Sequence, residues 1–177
     1  PTMLLRVYEW DLIQSGRVYG LIAMLAGSAG VLSGPFVLKL MNKKNISAPH
    51  FKLAIFGISM ASLSLVLLPF QANVNIALIF VTLASFFVTL PLAGTSSAMV
   101  IVSPNRIRGV ITGIYVVVTS VFGLVLGPFL VASSTDFIFQ DPNAVAKSLA
   151  LVSVLIGPVG IFFMLKGVNA FGEMKNV

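Results

Sequence analysis

Hydroxyl side chains are the groups in this sequence whose type and spacing could bind a solute. Thr112, Tyr115 and Thr119 are three and four residues apart, so in a helix they share one face. A single hydroxyl in an apolar helix usually donates to the carbonyl group four residues earlier, which is a structural role. A complete polar face could instead line an aqueous cavity, and both interpretations stay open. The candidate cavity residues, taken from two predicted helices, are Thr89, Thr95, Ser96, Thr112, Tyr115 and Thr119.

The sequence offers no set of residues for catalysis. Cysteine is absent, which excludes thiolate nucleophiles, thiolate zinc sites and disulfides. The single histidine, His50, follows Pro49 in a basic loop, where we expect a solvated position. The sequence contains no phosphate-binding Gly-Lys-Ser/Thr loop and no paired carboxylates within an apolar stretch. We therefore expect a protein that is not an enzyme, with no catalytic residues, no metal site and no cofactor.

The composition excludes a soluble globular domain. Of the 177 residues, 58% are hydrophobic and 9% are charged, and the mean hydropathy is +1.04. Soluble domains carry roughly 25% charged residues, which is far more than this chain has to cover a surface in water. The net charge of +6 comes from basic residues scattered among apolar runs, so nucleic acid is not an expected partner. The expected surroundings are a lipid bilayer.

Long apolar stretches predict transmembrane helices, because about 20 apolar residues cross the hydrocarbon core. The stretch from Leu53 to Asn105 has no charged residue and is too long for one crossing, so a turn is expected at Pro69 to Asn75. The predicted spans are 16–40, 52–70, 75–102, 107–134 and 146–167, and residues 1–7 resemble the end of another apolar element. The predicted fold class is an all-α integral membrane bundle of about five helices, formed by residues 1–177.

Basic residues predict the orientation of this bundle. Eight of them fall on one side of the predicted helices, namely Lys39, Lys43, Lys44, Lys52, Arg106, Arg108, Lys166 and Lys175, whereas Arg6, Arg17 and Lys147 fall on the other. Cytoplasmic loops are enriched in lysine and arginine. We therefore expect the C-terminus to be cytoplasmic, in a bacterial inner membrane. Lys39, Arg106 and Arg108 are assigned to this topology signal or to a cytoplasmic gate.

Glycine and proline residues within the spans predict close packing and bends. Gly30 and Gly34 are four residues apart, as are Gly123 and Gly127, which places small residues on one helix face. Pro91 and Pro128 each remove a backbone hydrogen bond and bend their helix. These residues fit static packing, and they also fit helices that slide or rock during a conformational cycle.

Two segments resemble the C-terminal half of a major facilitator superfamily transporter, and the pattern is most similar to spinster-like members. Ser103-Pro104-Asn105-Arg106-Ile107-Arg108-Gly109, followed by Gly123-x-x-x-Gly127-Pro128 and Thr135-Asp136, is similar to the loop before the eleventh helix of that family and to the helix itself. Residues 4–10 and Gly16-x-x-x-Gly20 are similar to the end of the seventh helix and the start of the eighth. The resemblance covers essentially the whole chain.

The resemblance implies two six-helix halves that rock about a central site. The chain would be the second half without most of its first helix, its partner would be the N-terminal half of the same polypeptide, and its substrate a small organic solute, lipid-like or an organic anion. One departure is that Leu38 stands before Lys39 where the family often carries an acid, so a gating charge contact does not carry over. The alternative is a small non-catalytic membrane scaffold or assembly subunit, in which the glycine faces form an interface.

Overall fold

The chain folds into helices, as the sequence predicts. The computed structural model describes residues 2–92, 94–95, 104 and 106–174, with side chains as far as residue 168. Within these residues helix is the only regular secondary structure, so the predicted all-α membrane bundle is confirmed. The described helices are α1 (Thr2–Val7), α2 (Leu12–Lys43), α3 (Pro49–Leu67), α4 (Val74–Thr89), α5 (Arg108–Phe139) and α6 (Val145–Met174).

The length and apolar composition of these helices make the chain an integral membrane protein. Among the described residues, four helices are long and apolar enough to cross a membrane: α2, α3 with the 3₁₀ turn that follows it, α5, and the stretch Val145–Val168 of α6. The fifth apolar helix, α4, has 16 residues. Helices α2 and α4 begin at capping side chains, because Asp11 accepts a hydrogen bond from the Ile13 nitrogen and Asn73 accepts one from the Asn75 nitrogen.

The predicted span 75–102 is interrupted in the structure. Helix α4 ends at Thr89, the chain turns at Leu90 and Pro91, and helical backbone resumes at Leu92. Pro91 has no N–H group, so it cannot continue the hydrogen-bond ladder of α4. The bend that the sequence predicts at Pro91 is therefore a break between two helical pieces.

Helices α2, α3 and α4 form a packed three-helix unit, and α6 packs along α3. One apolar core lies where α1, the 3₁₀ turn Leu68–Phe70 and the start of α6 meet, and it contains Met3, Leu4, Leu68, Ala77, Val145 and Ala146. We call this end of the bundle the acidic end, because Glu9, Asp11, Asp136 and Asp141 lie there. The opposite end, with Lys39, Lys43, Lys44, Lys52, Arg106, Arg108 and Lys166, is the basic end.

Helix α5 differs from the others in both geometry and packing. It is α-helical over Arg108–Ser120 and Gly127–Ser133 but π-helical over Val121–Leu126 and Ser134–Phe139. The first π-helical segment lies directly before Gly127 and Pro128, where the proline cannot donate to the preceding turn and a wider turn relieves the clash. Only the acidic-end part of α5 packs against α6, whereas Arg108–Leu126 makes no extensive contact with another described helix.

Candidate functional site

The crossing of α2 and α4 brings together two residues to which the sequence assigns different roles. A Cβ atom at Gly30 would lie 2.5 Å from the carbonyl oxygen of Phe86 and would collide with Oγ1 of Thr89, so this contact requires glycine. Oγ1 of Thr89 donates to the carbonyl oxygens of Ser85 and Phe86, at 3.0 and 3.1 Å. Thr89 is half-buried in this crossing, and its hydroxyl already has partners. Gly34, one turn after Gly30, is buried on α2 as well.

Thr95 lies near the basic end, beyond the break at Pro91. Its hydroxyl donates to the carbonyl oxygen of Pro91 at 2.9 Å. Gly57 of α3 fits against the same break, since a Cβ atom there would lie 2.7 Å from the Phe87 carbonyl oxygen and 3.1 Å from Cδ of Pro91. The break is thus covered by α3. The remaining candidate of this segment, Ser96, lies outside the described residues.

His50 differs from the solvated loop residue that the sequence predicts. Pro49 starts α3, a position that suits proline because its missing N–H is unpaired there in any case. His50 consequently lies in the first helical turn, half-buried, and its Nδ1 atom is buried without a hydrogen-bond partner among the described residues. A Cβ atom at Gly94 would lie 3.6 Å from this nitrogen, so His50 packs against the segment that follows α4.

The predicted hydroxyl face is present on the basic-end half of α5. Oγ1 of Thr112 donates to the Arg108 carbonyl oxygen at 2.8 Å, and Oγ1 of Thr119 donates to that of Tyr115 at 2.8 Å. Thr112 and Thr119 are exposed and Tyr115 is half-buried. Each donating hydroxyl retains oxygen lone pairs that can accept hydrogen bonds from a solute. The structure does not bring this face together with Thr89 and Thr95, because this half of α5 makes no extensive contact with α4.

An open groove of about 820 Å³ lies in the acidic half of the bundle. Its walls are mostly apolar and come from α1, α2, α3, α4, α6 and the acidic-end part of α5, including Gly127 and Pro128. Its polar side chains are Thr2, Arg6, Tyr19, Ser85, Thr135, Asp136 and Ser153. None of the five candidate cavity residues that the structure describes lines it. The sequence signal for this groove is the pair Thr135-Asp136, which belongs to the motif that resembles the major facilitator family.

Buried hydrogen bonds hold the end of the groove in place. Oγ1 of Thr135 on α5 donates to Oγ of Ser148 on α6 at 2.8 Å, and both side chains are buried. The guanidinium group of Arg6 donates to the carbonyl oxygen of Pro142, in the turn between α5 and α6, at 3.5 Å. These hydrogen bonds therefore fix the acidic end of the groove. The groove continues toward the part of α5 that makes no extensive contact with another described helix.

The predicted topology residues lie away from this groove, at the basic end. Lys39 and Arg106 are exposed, whereas Arg108 is half-buried at the start of α5 and its Nε atom has no hydrogen-bond partner in the described part of the chain. In the part of the chain that the structure describes, no three histidine or carboxylate side chains come together as metal ligands would.

Comparison with known proteins gives no match to a family model, to a curated protein or to a solved structure. The resemblance to the major facilitator superfamily therefore stays a prediction that rests on the motifs quoted above.

Proposed function

We propose that the chain is the C-terminal half of a secondary transporter of the major facilitator type, similar to spinster-like members, which moves a small organic solute by alternating access. The observation that carries this proposal is the unequal packing of the helices. Helix α4 packs against both α2 and α3, which completes one three-helix unit, whereas α6 is the one described helix with which α5 makes extensive contact, and only at the acidic end. The pair α5–α6 therefore has room for a third helix.

The groove supports a position for this third helix. Helix α1 enters the loop to α2 at the acidic end, and Thr2, Met3, Leu4 and Arg6 line the groove. Residues upstream of Thr2 would run from there toward the basic end, along α4, α5 and α6. A helix in this place would cover the apolar groove walls and the part of α5 that lacks a described partner. The N-terminal half of the polypeptide would precede it.

The π-helical interruption of α5 supports a moving part. The π-helical segment Val121–Leu126 and Pro128 separate the packed end of α5 from the half that carries the hydroxyl face. Interrupted helices at membrane depth are typical of transporters. Bending at this point would move Thr112, Tyr115 and Thr119 relative to α4, and would open or close a hydroxyl-lined cavity. The solute would be held by hydrogen bonds and apolar contacts, which fits a lipid-like molecule or an organic anion.

The proposal also includes an orientation. The excess of lysine and arginine at the basic end places this end and the C-terminus in the cytoplasm, and the membrane would be a bacterial inner membrane.

Single cysteines test whether the hydroxyl face lines water, because this chain has no cysteine of its own, and labelling of the parent full-length protein gives the background. We expect a membrane-impermeant maleimide to label Thr119→Cys in the full-length protein in membranes. Val117→Cys is the matched control, since it lies two residues away on the opposite helix face and is exposed to the surroundings of the helix. Equal labelling of the two variants, or none of either, would contradict an aqueous cavity on this face.

Transport itself is tested with the full-length protein in vesicles. A fluorescent single-chain phospholipid and carboxyfluorescein serve as one lipid-like and one anionic probe. Thr119→Ala or Tyr115→Ala should lower uptake about fivefold, which corresponds to the loss of one hydrogen bond of about 1 kcal/mol, without lowering protein abundance. Uptake of neither probe above that of protein-free vesicles would count against these two substrate classes, and full uptake by both variants would count against the assigned face.

A membrane scaffold or assembly subunit is the second candidate function. The observation that favours it is that no described atom lies within 4 Å of a Cβ placed at Gly123 or Gly127, so this glycine pair is free to contact another chain. In that case Gly123→Leu with Gly127→Leu should dissociate an oligomer of the natural protein and leave maleimide labelling of Thr119→Cys absent.

A further inference from the structure

We propose that the basic end binds the headgroup of an anionic phospholipid at a lysine cluster formed by Lys43, Lys44, Lys52 and Lys166. This inference needs only a membrane protein and does not depend on transport. It concerns the outer surface of α3 and α6, away from the groove and from the hydroxyl face of α5.

The end of α2, the start of α3 and the C-terminal part of α6 carry the four lysines. Helix α2 ends at Lys43, and a short loop leads directly into α3 at Pro49. Helix α3 packs along α6, and the start of α3 reaches the C-terminal part of α6 where the ring of Phe51 lies against Gly167, about two turns before α6 ends. A Cβ atom at Gly167 would lie only 2.6 Å from Cε1 of this ring. Lys52 and Lys166 are the chain neighbours of these two contacting residues, and both are exposed, so their side chains leave the two helices close to the same contact.

The charges of the cluster are not neutralised by the contacts that the structure shows. Nζ of Lys52 donates to the neutral hydroxyl of Ser47 at 3.3 Å, and Nζ of Lys166 lies 4.8 Å from the ring centre of Phe162. Four of the five acidic residues are at the opposite end of the bundle. The fifth, Glu173, lies about two turns beyond Lys166, and its side chain is outside the described part of the chain.

The start of α3 adds to this positive potential. Its N-cap residue is Ala48, which has no side chain to accept hydrogen bonds from the first turn. The partial positive charge of a helix start therefore adds to that of the lysines.

Exposed apolar side chains lie next to the cluster, on the membrane side. Phe162 and Phe163 are 54% and 66% exposed, and Phe56 and Leu165 are about half exposed. Such a surface suits acyl chains, while lysine stems extend along it and place their ammonium groups at the depth of lipid phosphates. A cationic cluster beside an apolar surface fits an amphipathic anion, so the structure favours a phospholipid over free phosphate.

The test uses the purified chain in detergent micelles, where lipid binding does not depend on the orientation of the protein across a membrane. Binding of dioleoyl phosphatidylglycerol and of dioleoyl phosphatidylcholine is measured by native mass spectrometry. Juxtamembrane lysines each raise binding to an anionic lipid about fivefold. We therefore expect phosphatidylglycerol to bind at least fivefold more tightly than phosphatidylcholine, and millimolar inorganic phosphate not to displace it.

Two double variants assign the effect to the cluster. Lys52→Gln with Lys166→Gln should lower phosphatidylglycerol binding by about fivefold for each lysine removed, which is about 25-fold in all. Arg17→Gln with Lys147→Gln is the control. It lowers the net charge of +6 by the same two charges, but at the acidic end, and should leave the preference for phosphatidylglycerol intact. Helix content and thermal unfolding in phosphatidylcholine micelles check that both variants fold.

Three results would overturn the inference. Equal binding of the two lipids would exclude headgroup selection, and equal losses in the two double variants would show an effect of net charge alone. Displacement by inorganic phosphate would assign the cluster to a soluble anion. None of these results bears on the labelling of Thr119→Cys, so the proposed transport function would be unaffected.

Discussion

Gly30 sets how closely α2 and α4 approach each other. A methyl group there would lie 2.5 Å from the Phe86 carbonyl oxygen and 3.3 Å from the Leu90 nitrogen, and backbone atoms cannot rotate away. We expect Gly30→Ala to destabilise the chain by about 1–3 kcal/mol, the usual range for overpacking. Gly20→Ala on the same helix is the control, because no atom lies within 4 Å of its Cβ position. Unfolding followed by circular dichroism in a denaturant titration measures both, and equal midpoints would contradict the close crossing.

A hydrogen bond of Tyr8 joins the loop between α1 and α2 to the turn between α3 and α4. Its hydroxyl donates to the carbonyl oxygen of Gln71 at 2.8 Å in a partly buried position. We expect Tyr8→Phe to cost about 1 kcal/mol, which is the ordinary contribution of one hydrogen bond. Thermal unfolding near pH 8 measures this loss. An unchanged unfolding temperature would show that this hydrogen bond does not hold the acidic end.

The same contact has a predictable pH dependence. Burial raises the pKa of Tyr8 above its usual value of about 10, because the neutral phenol is favoured in the folded chain. Its contribution to stability is therefore complete below pH 10 and is lost as the pH rises through the folded pKa, when the phenolate can no longer donate. The difference in unfolding temperature between the parent chain and Tyr8→Phe should shrink above pH 10. A constant difference up to pH 11 would contradict this assignment.

Residue roles could be predicted from the sequence where sterics alone decide them. Gly30 is an example, since the spacing of Gly30 and Gly34 predicts a packing face and the structure shows a helix crossing at Gly30. Thr89 could not be assigned in this way. A threonine hydroxyl donates to its own helix whether its face meets lipid, water or another helix, so its spacing does not reveal which of these it meets.

At the scale of helices, Pro128 and the π-helical segment before it divide α5 into a packed part and a part without a described partner. We expect Pro128→Ala to restore a backbone donor and to straighten this helix. Spin labels at Thr112→Cys and Ser153→Cys, on α5 and α6, report the change as a narrower distance distribution by pulsed electron resonance. Pro158→Ala within α6 is the control and should leave the distribution unchanged. Identical distributions for the parent chain and Pro128→Ala would contradict a hinge at this point.

The presence of long apolar helices could be predicted because membrane thickness fixes how many apolar residues a span needs. The predicted span 107–134 and the observed α5, Arg108–Phe139, differ mainly at the end that packs on α6. The interruption of the span at Pro91 is harder to predict. A proline predicts a bend, but whether α4 continues past it also depends on Gly57 of α3, which packs against the break and belongs to a different helix.

For the whole molecule, the two ends of the bundle differ in both packing and charge. The acidic end is closed by an apolar core that joins α1, the turn after α3 and the start of α6. Toward the basic end α5 makes no extensive contact with the other described helices, and the groove that begins at α1 points along this part of α5. A composition-based analysis could not detect this difference, because the apolar residues of α5 have the same hydropathy whether lipid or a further helix covers them.

The proposal of a further helix and a second half makes a prediction about the natural polypeptide. An antibody against residues 170–177 should detect, in source membranes, a band at roughly twice the 18.8 kDa of this chain or more, since two six-helix halves require about that length. Competition with the matching peptide controls for specificity. A band near 18.8 kDa would mean that five spans act alone, so that a rocking two-half mechanism would need a dimer. The exposed Gly123 and Gly127 would then become the first surface to mutate, and the scaffold function would take precedence over transport.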